Sequence, residues 1–208
     1  MVTTRPLAIW TIRGCVPKGY GPDMKGVIFN LAEQVVTDAY GADTWDTLLD
    51  DTGLDGIFTT LGSYPDDQLV ALVGAASARL GVPPADVVRI IGEGAMPMLA
   101  ERYPAFFATH TSTRPFLLTL NDIIHPEVRK LYPGADVPEF VFDEQGDDIL
   151  LLTYRSHRRL CSLAEGFIAG AARHYGQSVV IDQPTCMLQG ADCCVLHCTF
   201  SSPESATT

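Results

Sequence analysis

Positive charge is scarce in this chain: 14 Lys and Arg stand against 25 Asp and Glu, a formal charge of -11. The phosphate backbone of a nucleic acid and the anionic face of a membrane would both be repelled, so neither is an expected partner. Long apolar runs are missing too. No stretch approaches the roughly 20 residues that span a bilayer. The run from Leu7 to Ile12 is shorter than a signal-peptide core, and Arg13 interrupts it. The chain therefore reads as cytoplasmic, with proteins or small ligands as partners. Cysteine is absent between Cys15 and Cys161, after which Cys161, Cys186, Cys193, Cys194 and Cys198 crowd the last quarter. In a reducing cytosol such a cluster suggests metal binding or redox chemistry more than structural disulfides, although any single member also suits the role of a small buried hydrophobe. There is no internal repeat, and no low-complexity tract beyond the tail from Ser201 to Thr208.

What is present suits one domain: 208 residues, 47% of them apolar, can bury a sizeable core. Residues 1–23 mix Pro6, Gly14, Pro17, Gly19, Gly21 and Pro22 with little periodicity and read as an extension outside the fold. Met24 opens a helical pattern through Ile28, Leu31, Val35 and Ala39 that Gly41 is placed to end. Asp43 or Thr44 can cap a short helix before Gly53, and Pro65-Asp66-Asp67 opens another that stops at Gly81. A further helix starts at Pro83-Pro84, where Gly92, Gly94 and Pro97 predict a bend or break. Beyond Pro133-Gly134, strand-like runs occupy 139–142, 149–154, 178–181 and 194–200, with a helical stretch from Leu160 to Tyr175. The expected fold is α+β, a helical N-terminal half and an antiparallel C-terminal half, spanning 24–200 before a flexible tail at 201–208.

Two features carry chemistry. His125 follows Ile123-Ile124 at the end of an apolar segment, and neutral imidazole is a good iron ligand, but a histidine so placed is by itself more often a packed residue. Downstream stands Tyr154-Arg155-Ser156-His157-Arg158. If this stretch ends a strand, a period of two puts Tyr154, Ser156 and Arg158 on one face. Two hydroxyls and a guanidinium fork would then converge on one carboxylate. The plainer alternative is a polar strand end with a surface arginine.

With these residues together, the chain from Met24 to about Phe200 resembles an H-NOX domain, the haem nitric oxide/oxygen-binding sensor related to the regulatory domain of soluble guanylate cyclase. The resemblance rests on Met24-Lys25-Gly26, on Asn121-Asp122-Ile123-Ile124-His125, on Tyr154/Ser156/Arg158 as the Y-x-S-x-R signature, and on Pro138, where the family packs a proline against the porphyrin. It implies haem b held through iron by His125, with its propionates clamped by Tyr154, Ser156 and Arg158. It also implies a helical distal subdomain and a proximal subdomain built on a four-stranded sheet, with the haem between them and Gly92 as a hinge. Pro126 directly follows His125, so the ligand is expected at a helix start or a kink.

Oxygen-binding members carry a distal tyrosine where this chain has Leu163. Bound oxygen needs a hydrogen-bond donor and nitric oxide does not, so the resemblance implies a nitric oxide sensor that is not an enzyme. Its signal would pass to a separate protein such as a histidine kinase or a cyclic-di-GMP enzyme. Cys161, Cys186 and Cys194 resemble three ligands of a structural zinc in a bacterial subgroup, sometimes with a redox role; the fourth, a histidine, corresponds to Gln183. Carboxamide is a poor zinc ligand. Cys193, Asp182 or water stay open as the fourth, as do free thiols or a Cys161–Cys186 disulfide. The competing readings are a cysteine or zinc redox sensor in which haem is secondary, and a haem peroxidase. The latter would need a distal histidine or arginine, and no histidine precedes residue 80.

Overall fold

The computed structural model describes residues 23–146 and 148–201. The expectations for residues 1–22, Cys15 among them, and for 202–208 lie outside the described residues. The N-terminal half is helical, as expected. Strand β1 (Met24–Lys25) leads into helix α1 (Gly26–Tyr40), followed by α2 (Ala42–Thr52), strand β2 (Ser63–Tyr64), α3 (Asp66–Leu80) and α4 (Pro84–Arg102). Gly41, Gly53 and Gly81 end α1, α2 and α3 as placed, the last two in the left-handed region that L side chains avoid. The pairing of β1 with β2 had no signal, since two residues show no period.

α1 buries two stripes rather than one. Phe29, Ala32 and Val36 pack with residues of α2 and α3, while Val27, Leu31 and Val35 pack with Ala95 and Tyr132. Ala39, expected on the inner face, is exposed. Phe29 stacks on Phe58 with ring centroids 4.2 Å apart, which ties the 53–62 loop to the helical layer.

Of the bend or break expected near Gly92, the break does not occur: α4 runs as one helix through Gly92, Gly94 and Pro97. These glycines serve contact instead. A Cβ on Gly92 would lie 2.6 Å from the carbonyl oxygen of Leu163, and one on Gly166 would lie 2.2 Å from that of Arg89. Here α4 crosses α8 (Cys161–His174) backbone against backbone, which any larger residue would prevent.

Between them come α5 (Pro104–Phe107), α6 (Thr113–Leu118), a π-helical turn at Leu120–Ile124 and α7 (His125–Leu131). Strands β3 (Glu139–Glu144), β4 (Ile149–Arg155), β5 (Ser178–Thr185) and β6 (Cys194–Ser201) form an antiparallel sheet in the order β3-β4-β6-β5. Leu150, Leu152 and Tyr154 of β4 alternate inward, in register with Cys198, Leu196 and Cys194 of β6, and that face packs against α8. The fold is thus α+β, as read. No helix among the described residues is long and apolar enough to cross a membrane.

Candidate functional site

α7 begins at His125, and the wide turn before it has a local cause. Pro126 has no N–H to donate into a helix, and the His125 N–H reaches back five residues to the Leu120 carbonyl. Asn121 pins this turn to the sheet, its Nδ2 donating to the Phe140 carbonyl at 2.7 Å. The helix-start position expected for His125 is observed. Its ring is 9% exposed, lies 5.8 Å from the Phe140 ring and makes no hydrogen bond among the described residues. Burial, helped by Arg129, lowers its pKa to about 4. The imidazole is therefore neutral at ordinary pH and keeps a lone pair for a Lewis acid.

His125 lines a cavity of about 280 Å³. Its walls are mainly apolar, with Leu99, Phe106, Phe116, Leu117, Val128 and Phe140 among them, and Pro138, Leu163 and Phe167 also face it. Tyr103 and Tyr132 line it too, but their hydroxyls hydrogen-bond one another. Tyr154, Ser156 and Arg158 all reach the same cavity.

Tyr154 reaches it by strand alternation, but Ser156 and Arg158 lie beyond the strand. β4 ends at Arg155, and Ser156 to Arg159 form a turn closed by a hydrogen bond from the Arg159 N–H to the Ser156 carbonyl, with Arg159 at φ 53°. Thus the turn, not a period of two, brings Arg158 inward. The Tyr154 hydroxyl accepts from the Leu160 N–H at 3.1 Å, and burial pushes its pKa up to about 12, so the phenol stays protonated.

The surroundings of Arg158 were not legible in the sequence. Its guanidinium side chain is 7% exposed, and Nε donates to the Asp66 carboxylate at 3.0 and 3.2 Å. Nη1 donates to the Asp136 carbonyl at 3.0 Å and its carboxylate at 3.2 Å, and Nη2 to the Asp23 carbonyl at 3.2 Å. Asp66 read only as a helix opener; Asp136 carried no signal.

The cysteines separate into two groups. The sulfurs of Cys161, Cys186 and Cys194 lie within 4.8 Å of one another, all buried, with Cys161 and Cys186 at 3.8 Å. Cys193, Cys198 and Asp182 are not in this group, Asp182 being exposed on the other face of the sheet. Gln183 lies beside Cys161, its Nε2 buried. Burial raises the Cys161 pKa and pushes Cys194 up to about 12, partly offset by the Met187 N–H to the Cys194 sulfur at 3.2 Å. Empty, these are thiols; a cation would have to displace their protons.

One largely apolar cavity is thus lined by a buried imidazole and by the polar side chains of Tyr154, Ser156 and Arg158. The chain belongs to the Haem-NO-binding family, whose pattern matches residues 25–183. Among solved structures it is similar to an H-NOX protein from S. oneidensis in its Fe(II)NO state, at 33% identity and TM-score 0.80, covering 86% of this chain and 100% of that one. The A71G mutant of an H-NOX protein from K. algicida, Fe(II) and unliganded, matches at 26% identity and TM-score 0.79, covering 88% and 100%. An oxygen complex of an H-NOX domain related to soluble guanylate cyclases shares the fold at 22% identity and TM-score 0.73, covering 86% and 96%. No curated protein matches the chain.

Proposed function

We propose that residues 24–200 form a haem-based gas sensor domain whose iron ligand is His125. The observation that carries this reading is a buried imidazole without a hydrogen-bond partner among the described residues, lining an apolar cavity that Arg158 also lines. The residues fit haem b: His125 for the iron, Tyr154, Ser156 and Arg158 for the carboxylates, and Pro138 with the apolar walls for the ring. When bound, haem supplies a ferrous centre that takes a diatomic gas. The chain contributes the rest. Burial keeps His125 neutral, and the bond from Asn121 to β3 holds the turn that aims it. Leu163 offers no hydrogen to a bound gas, which favours nitric oxide over oxygen.

The output is a shift between two packings, read by a separate signalling protein such as a histidine kinase or a cyclic-di-GMP enzyme. The test is the absorption spectrum of the ferrous protein before and after nitric oxide, with His125→Ala beside it. Haem uptake by the wild type and a changed ferrous spectrum in the variant are expected; absence of haem after reconstitution overturns the reading.

The three clustered thiols favour a second input, a metal or redox site at Cys161, Cys186 and Cys194. Zinc would find three protein ligands there, with a carboxamide where a fourth is needed. Metal analysis of freshly purified reduced protein tests occupancy. Loss of signalling in Cys161→Ala but not in His125→Ala would make this the primary input.

A further inference from the structure

All three nitrogens of the Arg158 guanidinium are already engaged by the protein, and one of the acceptors, Asp66, sits on the opposite structural layer. Asp66 is the first residue of α3, in the helical half, whereas Arg158 lies in the turn after β4. Both Asp66 oxygens face Nε, and Asp136 and the Asp23 carbonyl take Nη1 and Nη2. His157 Nδ1 is 3.0 Å from the Asp136 carboxylate, so Asp136 has a second nitrogen at contact distance, whereas Asp66 has none beyond Arg158 among the ion pairs of the described residues. Partial burial raises the Asp66 pKa despite Arg158 beside it.

A carboxylated cofactor brings a further anion to this guanidinium. Arg158 already pairs with two carboxylates, Asp66 and Asp136; a third on the same guanidinium would repel both at close range and compete for the same N–H donors. We propose that Asp66 is an internal stand-in for a cofactor carboxylate: it holds Arg158 oriented while the cavity is empty and is displaced from it when the cofactor enters. This rests on the haem reading above and adds that occupancy of the cavity releases the first turn of α3. The Asp66–Arg158 pair is then one physical link through which the sheet half reports the cofactor to the helical half.

The test uses Asp66→Asn, which keeps shape and removes the competing charge, with Asp67→Asn as the control: Asp67 is exposed in the same turn and makes no bond to Arg158. Haem transfer to an excess of an acceptor globin gives the rate of loss, and amide exchange over residues 63–70 is followed with and without haem. Expected are about tenfold slower loss from Asp66→Asn, no change in Asp67→Asn, and no effect of Asp66→Asn in an Arg158→Gln background. Exchange at the start of α3 should rise on loading in the wild type and not in Asp66→Asn. Unchanged or faster loss from Asp66→Asn, or exchange that does not respond to loading, overturns the stand-in role while leaving the haem reading intact. A wild type that takes up no haem overturns both.

Discussion

The crossing of α4 and α8 turns on what a single methyl group would meet. A Cβ on Gly166 would lie 2.2 Å from the Arg89 carbonyl oxygen and 2.9 Å from the Glu93 nitrogen, both backbone atoms that no rotamer change can move. Real Cβ atoms essentially never come closer than 3.0 Å, so Gly166→Ala has to part the two helices by at least 0.8 Å. A gap of that order forfeits about a quarter to a half of the dispersion energy across the affected contacts, and overpacking of this kind costs about 1–3 kcal/mol, here at the upper end. Against it stands the higher helix propensity of alanine, about 1 kcal/mol. The net expectation is destabilisation by about 2 kcal/mol. Gly74, mid-way along α3, has nothing within 4 Å of its notional Cβ, so the same substitution there should stabilise by about 1 kcal/mol. The propensity gain is common to both, so the difference of about 3 kcal/mol isolates the steric effect. Urea unfolding of the cofactor-free protein, followed by circular dichroism, should separate the two midpoints by about 1.5 M for a slope near 2 kcal/mol/M. Equal midpoints would refute the claim that backbone contact requires glycine here.

Leu163→Tyr introduces a phenol at the cavity wall, and the air-exposed ferrous protein should then hold an oxygen complex that the wild type does not, read by absorption spectroscopy. Asn121→Ala removes the bond to the Phe140 carbonyl and should cost about 1 kcal/mol in denaturant unfolding, with a broadened haem absorption band as His125 loses its fixed aim. Among the described cysteines, Cys193 is half-buried while Cys161, Cys186, Cys194 and Cys198 are buried, and burial pushes Cys198 up to about 12. Iodoacetamide at mildly alkaline pH should therefore label Cys193 before the other four described cysteines, which react only on unfolding, as peptide mass mapping would show.

What could be read in the sequence was whatever one element or one short segment decides for itself. The ends of α1, α2 and α3 were legible because Gly41, Gly53 and Gly81 act locally, and the strands because a strand-like run such as Ile149 to Tyr154 between turn residues is a property of the segment alone. The break expected at Gly92 is absent for the complementary reason. A helix interior disfavours glycine by about 1 kcal/mol, which predicts weakness, whereas contact with the Leu163 carbonyl across a helix crossing depends on a partner 71 residues away that no local rule sees. The site divides in the same way. His125, Tyr154, Ser156 and Arg158 could be named because their spacing resembles a family pattern, yet the alternation invoked to place Arg158 was wrong, and a turn through Arg159 did the work. Asp66 and Asp136 had no comparable signature, since carboxylates abound in an acidic chain and only the folded geometry singles out the two that hold Arg158. Ligand residues answer to the chemistry of what they bind, so their types recur in order along a chain; residues that orient a ligand residue answer only to where the fold leaves room beside it.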